Sequence, residues 1–385
     1  MKVIARIPVL SNRGIFIMMF QHITPEFVNS AITNQLLEKL TLQFPIFAAP
    51  IGSLVSCALL KKVAENGGMG FYPATWKSAS VYQQELSAII KEISNHHFGI
   101  NFVVCQIKPT DLQDKIKFAL SQGIKNFSFS WGDLKDHPDI VALIKKNQGI
   151  IFHTVGDLGQ ALAAIKATAD ILIVQGTEAG GHVLGKKSLT ELVKEIIPLA
   201  NPRQIPVIAT GGIAHGSQMK SLLDLGAAGI QMGTAFIVAE ESLAHEIYKE
   251  TLTKTQSIDQ LILTDRVFTK DWKAPLRVVR TEAVNNYLQD SKATGAVIAW
   301  TANGDPLTEG SDMPPLQKMT GKIEKLAFYA GTGITFGLQQ KPVTAIMQQF
   351  LQEYRQALIG NPQKKLQDPV KEDPQKNHKI PRAKL

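Results

Sequence analysis

The residues with the clearest chemical potential lie at positions 175–182, where the sequence is QGTEAGGH. Gln175 ends a short apolar run, and its amide can offer a donor and an acceptor to a planar heterocycle. The pair Gly180 and Gly181 would let a ligand approach the backbone closely. His182 can serve as base, acid or hydrogen-bond donor near neutral pH, although an ordinary loop histidine would fit the segment equally well. We therefore expect a ligand-binding loop with His182 as its candidate catalytic residue.

Two glycine turns accompany the next two apolar runs. The sequence TGGI at 210–213 follows the run at 206–210, and QMGTA at 231–235 ends the run at 229–232. Backbone N–H groups and a hydroxyl in such turns suit a phosphate, which favours a phosphate site over tight turns without a ligand. The residues that would form this site are Gly211, Gly212, Gly233 and Thr234.

Further candidates follow the first and third apolar runs. Asn101 could bind the edge of a ring or position a substrate, and an ordinary turn asparagine is the alternative. The sequence Ala49-Pro50-Ile51 supplies backbone groups and an apolar wall. His153 lies within the fifth run and could equally be a packed core residue. No His, Asp or Glu cluster has the spacing of metal ligands, so we predict no metal site.

The middle of the chain repeats one unit, a short apolar run followed by a polar turn and an amphipathic helix. Alternating strands and helices indicate parallel βα units, and eight units favour an α/β fold of the (β/α)8 TIM-barrel type over an open doubly wound sheet. In such a barrel the ligand-binding groups lie on the loops that follow the strands. The predicted strands are residues 45–49, 69–72, 98–104, 126–130, 149–154, 171–175, 206–210 and 229–232.

The rest of the chain differs from this repeat. Residues 265–320 contain four prolines and few strand signals, so we expect an inserted region of loops and helices that resembles a lid. The prolines and the few apolar residues of the C-terminus are typical of disorder. The predicted segments are an N-terminal arm at 1–19, the barrel at 20–257, the lid-like region at 258–337, a closing helix at 338–360 and a basic tail at 361–385.

The formal net charge of the 385-residue chain is +8, but this charge lies at the two ends. The segments 1–19 and 361–385 carry seven of the eight net charges, which leaves the central part at +1. This distribution argues against nucleic acid as a partner. The sequence contains no run of about 18 apolar residues, so we expect no membrane span. Two cysteines without a CxxC pair favour a reducing, cytoplasmic compartment.

Six segments come in the order and spacing of the nitronate monooxygenases, also called 2-nitropropane dioxygenases. These segments are PIFAAPIGSLVS, NGGMGF, FGINF, ILIVQGTEAGGH, IPVIATGGI and LGAAGIQMGTAF. The resemblance covers about residues 45–243 and resumes weakly near 266–280 and 329–337, and QGTEAGGH together with QMGT is its specific part. It implies a barrel enzyme that contains FMN. The chain departs from the family in its greater length and in Ile51, where many members have methionine.

Carried over motif by motif, the resemblance implies that His182 is the catalytic residue over the flavin. The implied FMN contacts are Asn101, Gln175, Gly180, Gly212, Gln231, Met232, Gly233 and Thr234. Their neighbours complete the set of candidate cofactor-binding residues, namely Ala49, Pro50, Ile51, Gly181 and Gly211. The implied activity is oxidation of alkyl nitronates with O₂ to carbonyl compounds and nitrite, for which we hypothesise a path through a flavin semiquinone.

Other functions stay open on the sequence. Flavin-dependent enoyl-acyl-carrier-protein reductases and NADH:quinone reductases are similar over the same loops, and such an enzyme would use NAD(P)H. A flavin-binding scaffold protein with a basic tail is a second alternative, and a barrel that binds a phosphorylated substrate without flavin is a third. Monomer and homodimer are both compatible with the sequence.

Overall fold

The computed structural model describes residues 30–93, 97–269, 271–289 and 295–360. The predicted arm at 1–19 and the predicted tail at 361–385 lie outside these residues. Within the described part of the chain, no helix combines the length and the apolar character that crossing a membrane requires.

Eight parallel strands close into a barrel, which confirms the predicted fold. They are β1 (Ile46–Ala48), β2 (Met69–Pro73), β3 (Phe98–Val103), β4 (Asn126–Ser130), β5 (Ile150–Val155), β6 (Ile171–Gln175), β8 (Val207–Thr210) and β9 (Gly229–Met232). Strand β7 (Gly181–His182) interrupts this order outside the barrel, and β1 pairs with β9 to close the circle. The bounds of every predicted strand agree with the observed ones to within one residue at each end.

Helices follow most barrel strands. Several of them begin at capping groups: Asp157 accepts a hydrogen bond from the Gln160 N–H, and Ser188 and Glu191 form a capping box. The helices are α1 (Ala31–Leu40), α2 (Cys57–Glu65), α3 (Ala79–Glu92), α4 (Pro109–Ser121), α5 (Pro138–Lys146), α6 (Leu158–Lys166), α7 (Leu189–Ala200), α8 (Gly216–Asp224), α9 (Thr234–Ile237), α10 (Glu246–Lys254), α11 (Glu282–Gln289) and α12 (Val343–Ile359).

The barrel interior is apolar in the half where the strands start. Alternate residues along each strand point inward, and α1 closes the end of the barrel from which the strands start. The Phe71 and Phe152 rings meet edge to face at 5.1 Å between centroids. The cluster includes Leu36, Leu40, Phe47, Phe71, Phe152, Ile173 and Ile208. Because this end is filled, a ligand must enter from the carboxyl ends of the strands.

Residues after the barrel form two small antiparallel sheets. Strand β10 (Leu261–Thr264) pairs with β11 (Leu276–Val279), and β11 also pairs with β7. Strand β12 (Val297–Trp300) pairs with β13 (Pro306–Thr308) and β14 (Thr320–Gly321). This differs from the loops and helices expected at 265–320, where α11 is the sole α-helix of the described residues. The strands were missed because they are short and Pro306 begins one of them, a position that proline tolerates in a sheet.

Candidate active site

A cavity of about 620 Å³ lies at the carboxyl ends of the barrel strands. Its size is typical of cofactor and small-molecule sites. The loops expected to carry ligand-binding groups line it, and they bring together most of the residues singled out from the sequence. Those that line the cavity are Ala49, Pro50, Ile51, Asn101, Gln175, Gly180, Gly181, His182, Gly211, Gly212, Gln231, Gly233 and Thr234.

Met232 is the candidate that does not line the cavity. Its side chain is 1 % exposed and belongs to the core cluster between the strands and the outer helices. Side chains alternate along a strand, so Gln231 points inward and Met232 points outward. The backbone carbonyl of Met232 instead accepts a 2.8 Å hydrogen bond from the Ala49 N–H. This bond ties the loop after β1 to β9.

Amide side chains form a polar level above the apolar half of the barrel. The Asn101 amide nitrogen donates to the Ser128 hydroxyl at 3.2 Å. The Gln175 amide oxygen accepts from the Leu184 N–H at 2.7 Å, which leaves its NH₂ for other partners. Gln231 is 4 % exposed and lines the cavity, yet its amide nitrogen has no partner within the described residues. A buried donor of this kind needs an acceptor, so the cavity is built for a polar ligand.

The glycines of these loops differ in whether a side chain would fit at their positions. Gly212 has φ of +68°, and a Cβ there would lie 2.4 Å from the Thr332 hydroxyl oxygen. A Cβ on Gly180 would lie 2.4 Å from the Gly331 backbone nitrogen. A Cβ on Gly233 would meet only ordinary contacts, the nearest being Ile51 Cγ2 at 3.5 Å. The protein therefore requires glycine at 180 and 212, whereas Gly233 leaves room in the cavity wall.

One glutamine side chain holds the turn after β8. The Gln218 amide oxygen accepts from the backbone N–H groups of Ala214 and His215 at 2.9 and 3.0 Å. Its amide nitrogen donates to the Gly212 carbonyl at 2.8 Å. On the neighbouring loop, the Thr234 hydroxyl accepts from the Gly331 N–H at 2.9 Å. The hydroxyl hydrogen of Thr234 remains able to donate to an anion.

His182 is fixed by backbone pairing and by aromatic rings. Its strand β7 pairs with β11, with Leu276 opposite His182. The imidazole stacks on Trp272 at 4.1 Å between centroids, and Trp131 meets it edge to face at 6.3 Å. Burial lowers the pKa of His182 to about 4, and its Nε2 atom has no partner within the described residues. The imidazole is thus neutral at physiological pH and can accept a proton or a hydrogen bond.

The buried Arg277 and the half-buried Glu178 hold the loop that precedes His182. The Arg277 guanidinium donates to the Thr177 carbonyl at 2.8 and 3.2 Å. The Glu178 carboxylate accepts from the Leu189 N–H at the start of α7. The Glu178 carbonyl accepts from the Thr332 N–H at 2.9 Å. These bonds fix residues 177–178 between the barrel and the later segments, so His182 is held from both sides.

Several aromatic and acidic residues of the cavity wall were not predicted from the sequence. Trp131, Trp272, Tyr329, Asp271 and Asp312 all line the cavity. Trp131 directly follows β4, and its φ of +57° marks a special turn, so its position after a barrel strand was a usable signal. The other four lie in the region after the barrel, where the sequence has no periodic pattern.

A model of the nitronate monooxygenase family matches residues 33–353. The chain belongs to the nitronate monooxygenase family. The match includes the region after the barrel as well as the six segments that carry the resemblance, which is thereby confirmed. As a member of this family, the protein is a flavin-dependent oxidoreductase.

Relatives of this nitronate monooxygenase family member are distant in sequence. It is 28% identical over 271 residues to a protein of Mycobacterium tuberculosis named (3aS,4S,5R,7aS)-5-hydroxy-7a-methyl-1-oxo-octahydro-1H-indene-4-carboxyl-CoA dehydrogenase. The aligned residues cover 70% of this chain and 72% of the relative. A probable nitronate monooxygenase of Bacillus subtilis is 27% identical over 267 residues, covering 60% of this chain and 76% of the relative.

Solved structures agree with the fold. FabK from Thermotoga maritima superposes with a TM-score of 0.67 at 24% identity, covering 84% of this chain and 97% of that one. Nitroalkane oxidase from Streptomyces ansochromogenes superposes with a TM-score of 0.65 at 22% identity, covering 84% of this chain and 99% of that one. At these identities the likeness concerns the fold of the nitronate monooxygenase family member and not its substrate.

Proposed function

We propose that the protein is an FMN-dependent nitronate monooxygenase that oxidises alkyl nitronates with O₂ to carbonyl compounds and nitrite. One observation carries this proposal. The cavity unites the buried amide of Gln231, whose nitrogen has no partner among the described residues, with two glycine turns and a neutral histidine, His182. A flat polar ring, a phosphate and a reacting group would each find a suitable partner there.

The residues present fit FMN. The amides of Asn101, Gln175 and Gln231 would hydrogen-bond the edge of the ring. Backbone N–H groups near Gly212 and Gly233 and the Thr234 hydroxyl would hold the phosphate. FMN would supply the redox chemistry when bound. The protein's own contribution is to hold the ring, exclude water and present His182.

His182 would contact the substrate and not the phosphate of FMN. Its neutral imidazole can accept the α-proton of a nitroalkane, or an N–H can donate to a nitro oxygen. Stacking on Trp272 and the pairing of β7 with β11 fix the ring plane during either step. Trp131 and Tyr329 surround the same ring and would limit the access of water.

The visible spectrum of the purified protein tests the cofactor. We expect the absorbance of bound flavin, identified as FMN by mass spectrometry of the released ligand. A colourless protein whose melting temperature FMN does not raise would contradict the proposal. Turnover is tested with propionate-3-nitronate by oxygen uptake and nitrite release.

His153 supplies a matched control for His182. Both histidines are buried, both have a pKa lowered to about 4, and each has one ring nitrogen without a partner in the described part of the chain. His153 does not line the cavity. We expect His182→Asn to lower kcat/KM for the nitronate at least 100-fold with FMN retained, and His153→Asn to change it less than threefold. Equal losses in the two variants would remove His182 from the mechanism.

One observation favours a second function, flavin-dependent reduction by NAD(P)H. A relative that is 28% identical over 271 residues is named as a carboxyl-CoA dehydrogenase, and an enzyme of that kind moves hydrogen to or from its substrate. Anaerobic mixing separates the two: rapid bleaching of the flavin by NADH or NADPH favours the reductase, and bleaching by nitronate alone favours the monooxygenase. The cytoplasmic location and the choice between monomer and homodimer stay predictions.

A further inference from the structure

An exposed tryptophan lies at the rim of the cavity. Trp76, in the loop after β2, lines the cavity although 61 % of its surface is exposed. The two residues before it, Ala74 and Thr75, are 0 % and 4 % exposed. A large apolar ring left in solvent forgoes the free energy that its burial would contribute. The Trp76 ring is therefore a contact surface available to a ligand that fills this part of the cavity.

The backbone on both sides of Trp76 is fixed from below. The buried Lys115 ammonium donates to the carbonyls of residues 74, 75 and 77 at 3.2, 3.3 and 2.8 Å. The Thr75 hydroxyl accepts from the Val103 N–H on β3 at 2.8 Å. An aromatic side chain on a fixed backbone loses little conformational freedom when it binds a ligand. The loop thus holds the indole ring in place before a ligand arrives.

The region after the barrel adds apolar side chains to the same rim. Leu307 of β13 and Met313, in the segment that follows this strand, both line the cavity. Leu307 belongs to a buried hydrophobic cluster, and Met313 packs against that cluster. A methionine side chain adapts its shape to irregular apolar groups. Trp76, Leu307 and Met313 together form what we call the apolar rim.

The cavity joins the apolar rim to the proposed reaction site. His182 lines it, as do the two rings that contact this histidine, Trp131 and Trp272. The buried Gln231 amide nitrogen, which lacks a partner within the described residues, indicates independently that the cavity takes a ligand. A nitronate group is small and would occupy only the part of the cavity near His182. An apolar substituent on the reacting carbon would lie along the aromatic rings and reach the rim.

We propose that the apolar rim is a subsite for a large apolar substituent of the substrate, and that the protein favours nitronates with an aromatic substituent over short-chain nitronates. The proposal rests on the proposed function and specifies its substrate class. The charged nitronate group keeps its place beside His182, and the subsite acts on the other end of the molecule. Contact between an aromatic substituent and the Trp76 ring would add a ring–ring interaction to the burial of apolar surface.

The nitronates of nitroethane and 2-phenylnitroethane form a suitable pair of substrates. They have the same charge and the same reacting group, and they differ by one phenyl group. Their kcat/KM values are measured by oxygen uptake and nitrite release. Apolar contacts in a pocket discriminate between substrates by about tenfold or more. We therefore expect kcat/KM of the native protein to be at least tenfold higher for the phenyl compound.

Three variants assign this preference to Trp76. Trp76→Ala should lower kcat/KM for the phenyl compound about tenfold and for the nitronate of nitroethane less than twofold, and the exposed position makes a folding defect unnecessary to invoke. Trp76→Phe, which keeps an aromatic ring, should retain most of the preference. Trp300→Ala is the matched control, since Trp300 of β12 is 43 % exposed and does not line the cavity, and it should behave as the native protein does.

Two carboxylates measure the subsite without turnover. 3-Phenylpropanoate and propanoate have the carbon skeletons and the charge of the two nitronates but contain no nitro group. Their dissociation constants are measured on the flavin-loaded protein from perturbation of the flavin absorbance. We expect 3-phenylpropanoate to bind at least tenfold more tightly than propanoate to the native protein and to Trp300→Ala, and less than threefold more tightly to Trp76→Ala.

The outcomes separate this proposal from the proposed function. Turnover of both nitronates with similar kcat/KM, or a preference that Trp76→Ala retains in full, would overturn the subsite and leave the monooxygenase intact. If neither nitronate is turned over, the proposed function fails, and the two carboxylates decide the subsite separately. Calorimetric titration replaces the flavin absorbance if the protein binds no flavin, and equal affinities for the two carboxylates would then overturn the subsite.

Discussion

The role of Gly233 can be separated from the stability of the protein itself. Gly233 precedes α9 and lines the cavity, and its φ of −112° suits any residue. A Cβ at this position would lie 3.5 Å from Ile51 Cγ2 and 3.7 Å from Ala49 Cβ, which are ordinary contacts. The flavin-free protein thus gives no reason for a glycine here. If the phosphate of FMN lies against this backbone, the added methyl group of Gly233→Ala would occupy space that the ligand needs.

The expected magnitudes differ between Gly233 and Gly212. For Gly233→Ala, weaker N-capping by alanine and the reduced freedom of the unfolded chain nearly cancel, so the free energy of unfolding should change by less than about 1 kcal/mol. Gly212→Ala must place a Cβ at φ of +68° and 2.8 Å from Glu178 Cβ. Backbone strain of about 1–3 kcal/mol and this overlap should together destabilise the flavin-free protein by about 3 kcal/mol.

Two measurements on the same preparations test this difference. Urea denaturation of the flavin-free proteins gives the free energy of unfolding, and quenching of FMN fluorescence gives the dissociation constant. We expect Gly233→Ala to weaken FMN binding at least tenfold, which corresponds to about 1.4 kcal/mol, with native-like stability. The reasoning is refuted if Gly233→Ala binds FMN as the native protein does, or if it destabilises the flavin-free protein as much as Gly212→Ala.

Three further predictions concern the supports of the site. Lys115 is 2 % exposed and donates to the carbonyls of residues 74, 75 and 77. Lys115→Met should therefore lower the free energy of unfolding, measured by urea denaturation, by about 3 kcal/mol. The control is Lys117→Met on the same helix, where the side chain is 54 % exposed and the change should be less than about 0.5 kcal/mol. Gln218→Glu loses the donor to the Gly212 carbonyl and adds a negative charge beside the proposed phosphate site, so FMN titration should show at least tenfold weaker binding. Because the pKa of His182 is about 4 in the folded protein and about 6.5 in an unfolded chain, the folded protein should lose stability as the pH falls from 6.5 to 4. His182→Asn should reduce that loss in melting temperatures measured across this range, and an unchanged pH profile would contradict the assigned pKa.

The barrel could be predicted from the sequence because each of its parts is a local pattern. Short apolar runs such as ILIVQ alternate with amphipathic segments, and a barrel requires nothing else to fix the order of its strands. The glycine turns were found for the same reason, since Gly212 and Gly233 directly follow strands. Met232 shows the limit of a motif: the four residues QMGT resemble a binding segment as a whole, but alternation along β9 turns one of the side chains away from the cavity.

The substrate side of the cavity could not be predicted because it is assembled from distant segments. Trp272 and Tyr329 both lie against His182, at 4.1 and 5.9 Å between ring centroids, but 90 and 147 positions away from it in the sequence. Their approach depends on the pairing of β11 with β7, a two-residue strand that has no pattern of its own. Asp271 and Asp312 are likewise brought together by the segment that leads into β11 and the one that leaves β13.

The region after the barrel is better understood as a fixed wall of the site than as a closing lid. Its β11 pairs with β7, and Arg277 of that strand holds the Thr177 carbonyl. The segment around Gly331 lies so close to Gly180 that no Cβ fits between them, and its N–H groups bond to Thr234 and Glu178 on two different barrel loops. A lid must leave these loops to open, and opening here would break backbone pairing on both the proposed phosphate side and the His182 side. We infer that substrate enters past the exposed rim near Trp76 and Asp271 while this wall remains in place.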